Sequence, residues 1–175
     1  MQSVKVVITG PLDAGKTTFI KSVSEIAVLS TEREVSEVSQ EGSGETTVAM
    51  DFGRITVSED VILYLFGTPG QERFSFMWET LSEGMLGFVL LVDASSDGSI
   101  SDAKKMIDFF EEMTDAPFVI ALNKVETDDP DSLRRVRATL EVEEKVPLLP
   151  VDARDRESVK AVLLGLLHRI LESMS

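Results

Sequence analysis

The chain has 175 residues, 43% of them hydrophobic and 27% charged, which suits one folded domain over 1–175 and leaves little room for two. A formal net charge of -14 opposes nonspecific attachment to nucleic acid or to anionic membrane. The absence of cysteine excludes disulfides, thiolate metal sites, cysteine nucleophiles, prenylation and palmitoylation, and a start that runs from Met1 straight into Val4-Lys5-Val6-Val7-Ile8 gives the expectation of a cytoplasmic protein without an intrinsic lipid anchor.

Short apolar runs alternate with segments of helical period, the pattern of strands joined by crossover helices. Val4 to Thr9 predicts the first strand. Phe19, Ile20, Val23, Ile26 and Ala27 recur at spacings of three and four and predict a helix ending near Leu29. Ser30 to Glu45 lacks either periodicity and is expected to be a functional loop. Thr47 to Val57 and Val61 to Phe66, separated by Ser58-Glu59-Asp60, predict a hairpin that puts one antiparallel strand at the sheet edge.

Leu86 to Val92, Phe118 to Leu122 and Leu148 to Val151 are nearly continuous apolar runs, as in strands buried on both faces of a parallel sheet. Three further helices follow from Ala103, Met106, Ile107, Phe110 and Met113, from Leu133, Val136 and Leu140, and from Val159, Val162, Leu163, Leu166, Leu167 and Ile170. The expected architecture is an α/β P-loop domain with a six-stranded, mostly parallel sheet, one antiparallel edge strand and helices on both faces.

Gly10, Gly15, Lys16 and Thr17 meet the pattern G-x-x-x-x-G-K-[ST] between a strand and a helix, the context that the motif requires. Glycine lets backbone amides wrap an anion, the helix N-terminus favours phosphate, Lys16 brings a mobile charge to the outer phosphates, and Thr17 brings an oxygen for magnesium. The candidate nucleotide-binding loop is therefore Gly10, Asp13, Ala14, Gly15, Lys16, Thr17 and Thr18. The motif alone leaves kinase, ATPase and GTPase open.

Thr47-Val48-Ala49-Met50-Asp51-Phe52 and Gly67-Thr68-Pro69-Gly70-Gln71-Glu72-Arg73-Phe74 resemble the two switches of the Ras superfamily, the second being similar to the Gly-Gln-Glu-Arg-Phe run of Rab-like proteins. The resemblance implies that Thr47 binds magnesium and the γ-phosphate, that Gly70 donates its amide to the γ-phosphate, and that Gln71 orients the attacking water. Lys16 and Thr47 then share the catalytic work with Gln71. Asn123-Lys124-Val125-Glu126 resembles the guanine reader Asn-Lys-x-Asp, with Glu126 at the carboxylate position, and Asp152-Ala153-Arg154 stands in place of the loop whose alanine amide meets the base oxygen. GTP and magnesium are the cofactors so implied.

Gly67 stands where Ras-like proteins carry a magnesium-positioning aspartate, and Asp51 on the neighbouring strand is the candidate replacement. The expected metal residues are Thr17, Thr47 and Asp51. Leu12 and Asp13 put side chains where Ras has glycines, which implies slow intrinsic hydrolysis and dependence on a partner, and the Asp13-Ala14-Gly15-Lys16-Thr17 tail resembles that of translation GTPases.

Over nearly the whole chain, the stretches Glu45 to Gly53, Leu65 to Gln71 and Val151 to Asp155 resemble prokaryotic Ras-like GTPases, the family of MglA and of the actinobacterial conservon operons. That resemblance implies a polarity or signalling switch with a Roadblock-type protein as activator or effector. A nucleotide-dependent binding module with negligible hydrolysis, and a small P-loop ATPase, are the alternatives. Phe74, Phe76, Met77, Trp78 and Leu81 crowd the helix after Gln71, either as an exposed partner surface or as packing beneath the sheet. His168 reads as a surface residue, and Arg134, Arg135 and Arg137 as a solvated helix face.

Overall fold

The computed structural model describes residues 2–39, 42–124 and 130–175, with the backbone alone for 29–49. Its elements are β1 (Gln2–Thr9), α1 (Lys16–Val23), β2 (Leu29–Ser39), β3 (Gly42–Ser58), β4 (Val61–Gly67), α2 (Ser75–Ser82), β5 (Gly87–Asp93), α3 (Asp97–Met113), β6 (Phe118–Asn123), α4 (Pro130–Leu140), β7 (Leu148–Val151) and α5 (Arg156–Ser173). A short 3-10 turn over Glu72–Phe74 leads into α2.

One sheet runs β2-β3-β4-β1-β5-β6-β7, parallel from β4 through β7 and antiparallel at β3 and β2. The α/β P-loop architecture and the six expected strands are all present. A seventh strand, β2, is added at the edge: residues 29–39 do not form the expected loop but pair antiparallel with β3, from Leu29 opposite Phe52 to Ser39 opposite Gly42. The β3 strand accordingly begins at Gly42, ahead of the expected Thr47.

Alternation along the central strands divides the core into two layers, because successive side chains leave opposite faces. Val6 and Ile8 of β1, Leu63 and Leu65 of β4, and Val89 and Leu91 of β5 pack against Phe19 and Ile20 of α1 and Val162 and Leu166 of α5. Val7, Leu90, Val92 and Ile120 face the other way, onto Trp78 of α2, Ile107 and Phe110 of α3 and Val136 of α4. Full burial of each such side chain contributes roughly 1.5–3 kcal/mol, so the paired layers outweigh the polar composition of the surface.

Helix α1 ends at Val23, short of the expected Leu29, although the apolar spacing continues to Ala27. Strand β3 competes for this segment: the Glu25 amide donates to the Arg54 carbonyl at 2.8 Å, and the Arg54 amide donates to Ser24 Oγ at 3.1 Å. Helix α3 starts where Ser96 Oγ accepts from the Ser99 amide at 3.1 Å, a cap that contributes about 1 kcal/mol. Packing, not exposure, accounts for most of the aromatic run near α2. Trp78 is buried, stacked on Phe110 with centroids 6.0 Å apart and edge-on to Phe109, while Phe76 alone of that run is 48% exposed.

Strand β1 lies between β4, on the side of the antiparallel pair, and β5, on the side of the remaining parallel strands. In an open α/β sheet the crevice beyond the carboxyl ends at such a point is where ligands bind. The loops after β1, β4, β6 and β7 converge there.

Candidate functional site

Those loops line an open cleft of about 1630 Å3 that includes Asp13, Gly15, Lys16, Thr17, Thr18, Asp51, Gly70, Gln71, Asn123, Lys124, Asp152, Ala153 and Arg154. Gly10 and Ala14 are the buried members of the phosphate loop. Glu126 lies outside the described residues, and of Thr47 only the backbone is described, in register with Glu34 on the β2–β3 hairpin.

The phosphate loop owes its course to two backbone conformations. Gly10 has φ 153°, and a Cβ there would meet the Leu91 carbonyl oxygen at 2.2 Å, so no other residue fits. Asp13 takes a left-handed conformation, φ 64°, which aspartate tolerates better than most residues. Beyond this turn Lys16, Thr17 and Thr18, the first residues of α1, line the cleft at the positive end of the helix dipole.

Lys16 lies part-buried against the loop, and its Nζ donates to the Gly10 carbonyl at 2.6 Å and to the Pro11 carbonyl at 2.7 Å. Burial pushes its pKa down to about 8, against the pull of Asp51 and Asp13. An anion beside the ammonium would oppose that depression. Thr17 Oγ1 donates to Asp51 Oδ2 at 2.5 Å, joining α1 to β3 at the rim of the cleft.

Pro69 and Gly70 close over the loop. A Cβ at Gly70 would stand 2.5 Å from the Leu12 amide nitrogen and 2.8 Å from Lys16 Nζ, so the backbone after β4 touches the phosphate loop directly. Trp78 Nε1 donates to the Pro69 carbonyl at 2.7 Å from the buried side, and Thr68 Oγ1 donates to Thr9 Oγ1 at 2.9 Å. Gln71 does not point at the loop lysine; its Oε1 accepts from Arg73 Nε at 2.7 Å. Leu12 stands 56% exposed on the cleft wall.

At the other end, buried Asn123 ties two loops together. Its Nδ2 donates to the Ala14 carbonyl at 3.0 Å and its Oδ1 accepts from the Ala153 amide at 3.2 Å. Lys124 follows in a left-handed conformation, φ 60°, and its Nζ lies 3.3 Å from Asp93 Oδ2. Asp152 and Arg154 face each other in a two-point pair on the rim.

Three supporting residues carry no motif in the sequence. Burial would raise the Asp93 carboxyl, but hydrogen bonds from Ser95 and the charge of Lys124 outweigh it and hold the group below its ordinary value. Ser158 Oγ accepts from the Asp152 amide at 2.9 Å, and Ser22 Oγ donates to the Ala153 carbonyl. Their only sequence signal is position: Asp93 at a strand end, Ser158 in the first turn of α5 and Ser22 in the last turn of α1.

The donors near Lys16 are hard oxygens, the Thr17 hydroxyl and the Asp51 carboxylate. Among the described residues no group of three or more His, Cys, Asp or Glu could hold a metal by itself. This set fits an ion such as magnesium, which keeps water and takes much of its shell from a phosphate ligand. Also among the described residues, no helix is long and apolar enough to cross a membrane.

A family model described as a conserved hypothetical ATP binding protein matches residues 28–173. The match begins after the phosphate loop, so that loop stands on its own spacing and geometry. An uncharacterized protein of Methanocaldococcus jannaschii is 33% identical over 129 residues, 74% of this chain and 75% of that protein. Ras-related protein Rab-7B of Dictyostelium discoideum is 28% identical over 145 residues, 79% of this chain and 65% of that protein. Translation initiation factor IF-2 of Rickettsia felis is 29% identical over 139 residues, 79% of this chain but 15% of the factor.

Proposed function

We propose, from the premise that this chain belongs to the family described as conserved hypothetical ATP binding proteins, that it is a small GTP-binding switch whose slow hydrolysis is stimulated by a partner. The single observation that carries the reading is Asn123, which holds the phosphate loop at Ala14 and the base-side loop at Ala153 from one buried side chain. A nucleotide laid between those loops puts its phosphates at Lys16 and its base near Lys124 and Asp152. Asp13, Gly15 and Thr18 offer backbone to the phosphates, while Ala153 and Arg154 flank the base.

In this reading Lys16 neutralises charge on the outer phosphates, and Gly70 offers its amide to the γ-phosphate once the switch segment has made room. Gln71 holds a water in line. The water oxygen bonds to the γ-phosphorus, the bond to the bridging oxygen of the diphosphate breaks, and GDP and phosphate leave. Thr17, Thr47 and Asp51 would hold magnesium, which when bound supplies charge neutralisation between the outer phosphates. Exposed Leu12 occupies the approach to that phosphate, which supports a low intrinsic rate.

The family description names ATP, and Glu126 replaces the usual aspartate of the guanine reader, so adenine preference is the second reading. Displacement of a fluorescent guanine diphosphate by GTP and by ATP separates the two. We expect GTP to be the more potent by a wide margin, and equal potency would remove the guanine assignment. Single-turnover release of γ-phosphate from the loaded complex tests catalysis. Release no faster than in buffer, with every partner tried, would leave a nucleotide-dependent binding module. The polarity or signalling role and the Roadblock-type partner rest on the sequence resemblance, and pull-down of such a partner by the triphosphate form in preference to the diphosphate form tests both.

A further inference from the structure

Three of the six large apolar side chains that stand exposed among the described residues belong to α5: Leu164 at 60%, Leu171 at 66% and Met174 at 69%. Scattered exposed leucines are ordinary, but these are aligned. With half-buried Leu167 they fall at 164, 167, 171 and 174, the three-four-three spacing that keeps one stripe along a helix. The core uses a different face, since Val159, Val162, Leu163, Leu166 and Ile170 are the residues that α5 buries against the sheet. Helix α5 thus has two apolar faces, and the fold of one chain covers one of them.

Charge and symmetry point to what covers the second. At a net charge of -14 the chain repels another copy of itself over most of its surface. Along α5 that repulsion lapses, because Arg156, Lys160 and Arg169 stand against Glu157 and Glu172, three cations to two anions. A strongly basic partner would be drawn to the acidic remainder of the chain, and a strongly acidic one repelled by it, whereas a second copy brings the same near-neutral helix. The stripe is also complementary to itself. Laid antiparallel about a twofold axis at position 169, Leu164 meets Met174 of the second copy and Leu167 meets its Leu171, and symmetry repeats each pair. That sense opposes the two helix dipoles and carries His168, which lies 3.4 Å from Glu172 within its own helix, toward Glu172 of the second copy. A parallel pair would instead stack Arg169 on Arg169 and Glu172 on Glu172.

We infer that α5 is the interface of a homodimer, paired antiparallel with α5 of a second copy through Leu164, Leu167, Leu171 and Met174. One helix pair about 27 Å long covers less than a standard interface of roughly 1,600 Å2, so the dimer is weak, with a dissociation constant in the micromolar range. Ser158, near the start of α5, lines the cleft, while the stripe runs along the far end of the helix, so both copies keep their clefts open. Sedimentation velocity of the full chain from about 1 µM to about 1 mM measures the association. The mass should rise from one chain toward two with concentration, and at lower concentration in high salt, which screens the repulsion between acidic copies.

Leu164→Glu and Met174→Lys should each weaken the dimer by roughly 10-fold or more, with urea midpoints near native because both side chains are exposed. Combined in one chain they should restore association to within a few-fold of native, since the introduced carboxylate of each copy then faces the introduced ammonium of the other. The two positions lie about 15 Å apart along their own helix, too far to pair within one chain. A single-chain mass over the whole range in high salt would overturn the inference. So would a native dimer in Leu164→Glu, which places the interface elsewhere, or a double variant no better than the weaker single one, which denies the antiparallel register.

Discussion

Arg73 Nε donates to Gln71 Oε1 at 2.7 Å, and the Arg73 guanidinium rests on the Phe74 ring with 4.6 Å to the centroid. The amide oxygen that the proposed mechanism needs for water is thus committed to a neighbour two residues away. Arg73 is exposed, a setting in which a hydrogen bond and a cation–π contact of this kind each contribute little. In the proposed mechanism hydrolysis would wait for Gln71 to be released, and a partner that takes hold of Arg73 would do that.

Replacing Arg73 by alanine should therefore raise intrinsic single-turnover hydrolysis a few-fold, while Gln71→Ala should lower it by on the order of 10²-fold, the usual scale for losing a positioned reactant. Phosphate release from loaded protein measures both. A fall in Arg73→Ala as large as that in Gln71→Ala would mean that the guanidinium itself stabilises the reacting phosphate.

Trp78 anchors the segment after β4 from beneath. Its Nε1 bond to the Pro69 carbonyl is buried, and Trp78→Phe leaves that carbonyl without its partner while shrinking the aromatic stack with Phe110. A loss of roughly 1–3 kcal/mol follows from the unpaired carbonyl, visible as a lower urea midpoint. Trp78 is also the sole tryptophan of the chain, so its emission reports on this bond directly. A γ-phosphate that displaces Gly70 from Lys16 pulls on Pro69, and emission should differ between complexes with a non-hydrolysable triphosphate and with a diphosphate. Identical spectra would mean that the segment moves without Pro69.

The phosphate loop is legible in the sequence because its spacing is a local backbone requirement: Gly10 is fixed by the Leu91 carbonyl, and Lys16 follows at the helix start. The interior strands are legible for a different reason, since Phe88 to Val92 and Phe118 to Leu122 are buried on both faces and so are apolar throughout. The β2 strand is not. Thr31 to Ser39 carries serine and glutamate where an alternating strand would carry apolar residues, and the strand is defined by its backbone pairing with β3. The end of α1 is hidden because Ile26 and Ala27 continue the helical spacing while a distant strand captures Ser24 and Glu25. Bulk alone leaves exposure or packing of Trp78 open, because the rings that bury it, Phe109 and Phe110, belong to α3. Asp93 has no local pattern at all, and becomes visible only when β5 and β6 bring it to Lys124.

Glu141 ends α4 with φ 54°, a left-handed position that glycine fills at least cost, and its amide donates to the Arg137 carbonyl at 3.0 Å. The ion pair with Lys104 at 3.5 Å is exposed and contributes little. Relief of the left-handed strain should therefore win: Glu141→Gly is expected to stabilise by up to about 1 kcal/mol. The urea midpoint should rise with an unchanged slope, and Glu141→Gln should leave both where they are. A midpoint that falls in both variants would mean that the Lys104 pair outweighs the strain.

Lys16 gives the site a pH dependence of definite sign. Its pKa falls from 10.5 in the unfolded reference to about 8 in the folded chain, because burial disfavours the ammonium more than Asp51 and Asp13 favour it. Between those two values the unfolded chain holds more protons than the folded one, so stability should increase as pH rises through that window. Nucleotide binding works in the opposite sense, since a phosphate beside Nζ favours the charged form. Above the folded pKa, binding should take up a proton, and affinity should fall as pH rises further. Calorimetry of GDP binding in two buffers of different ionisation enthalpy measures the uptake. Lys16→Met should abolish both the uptake and the stability slope, and uptake that persists in that variant would assign the proton to another group.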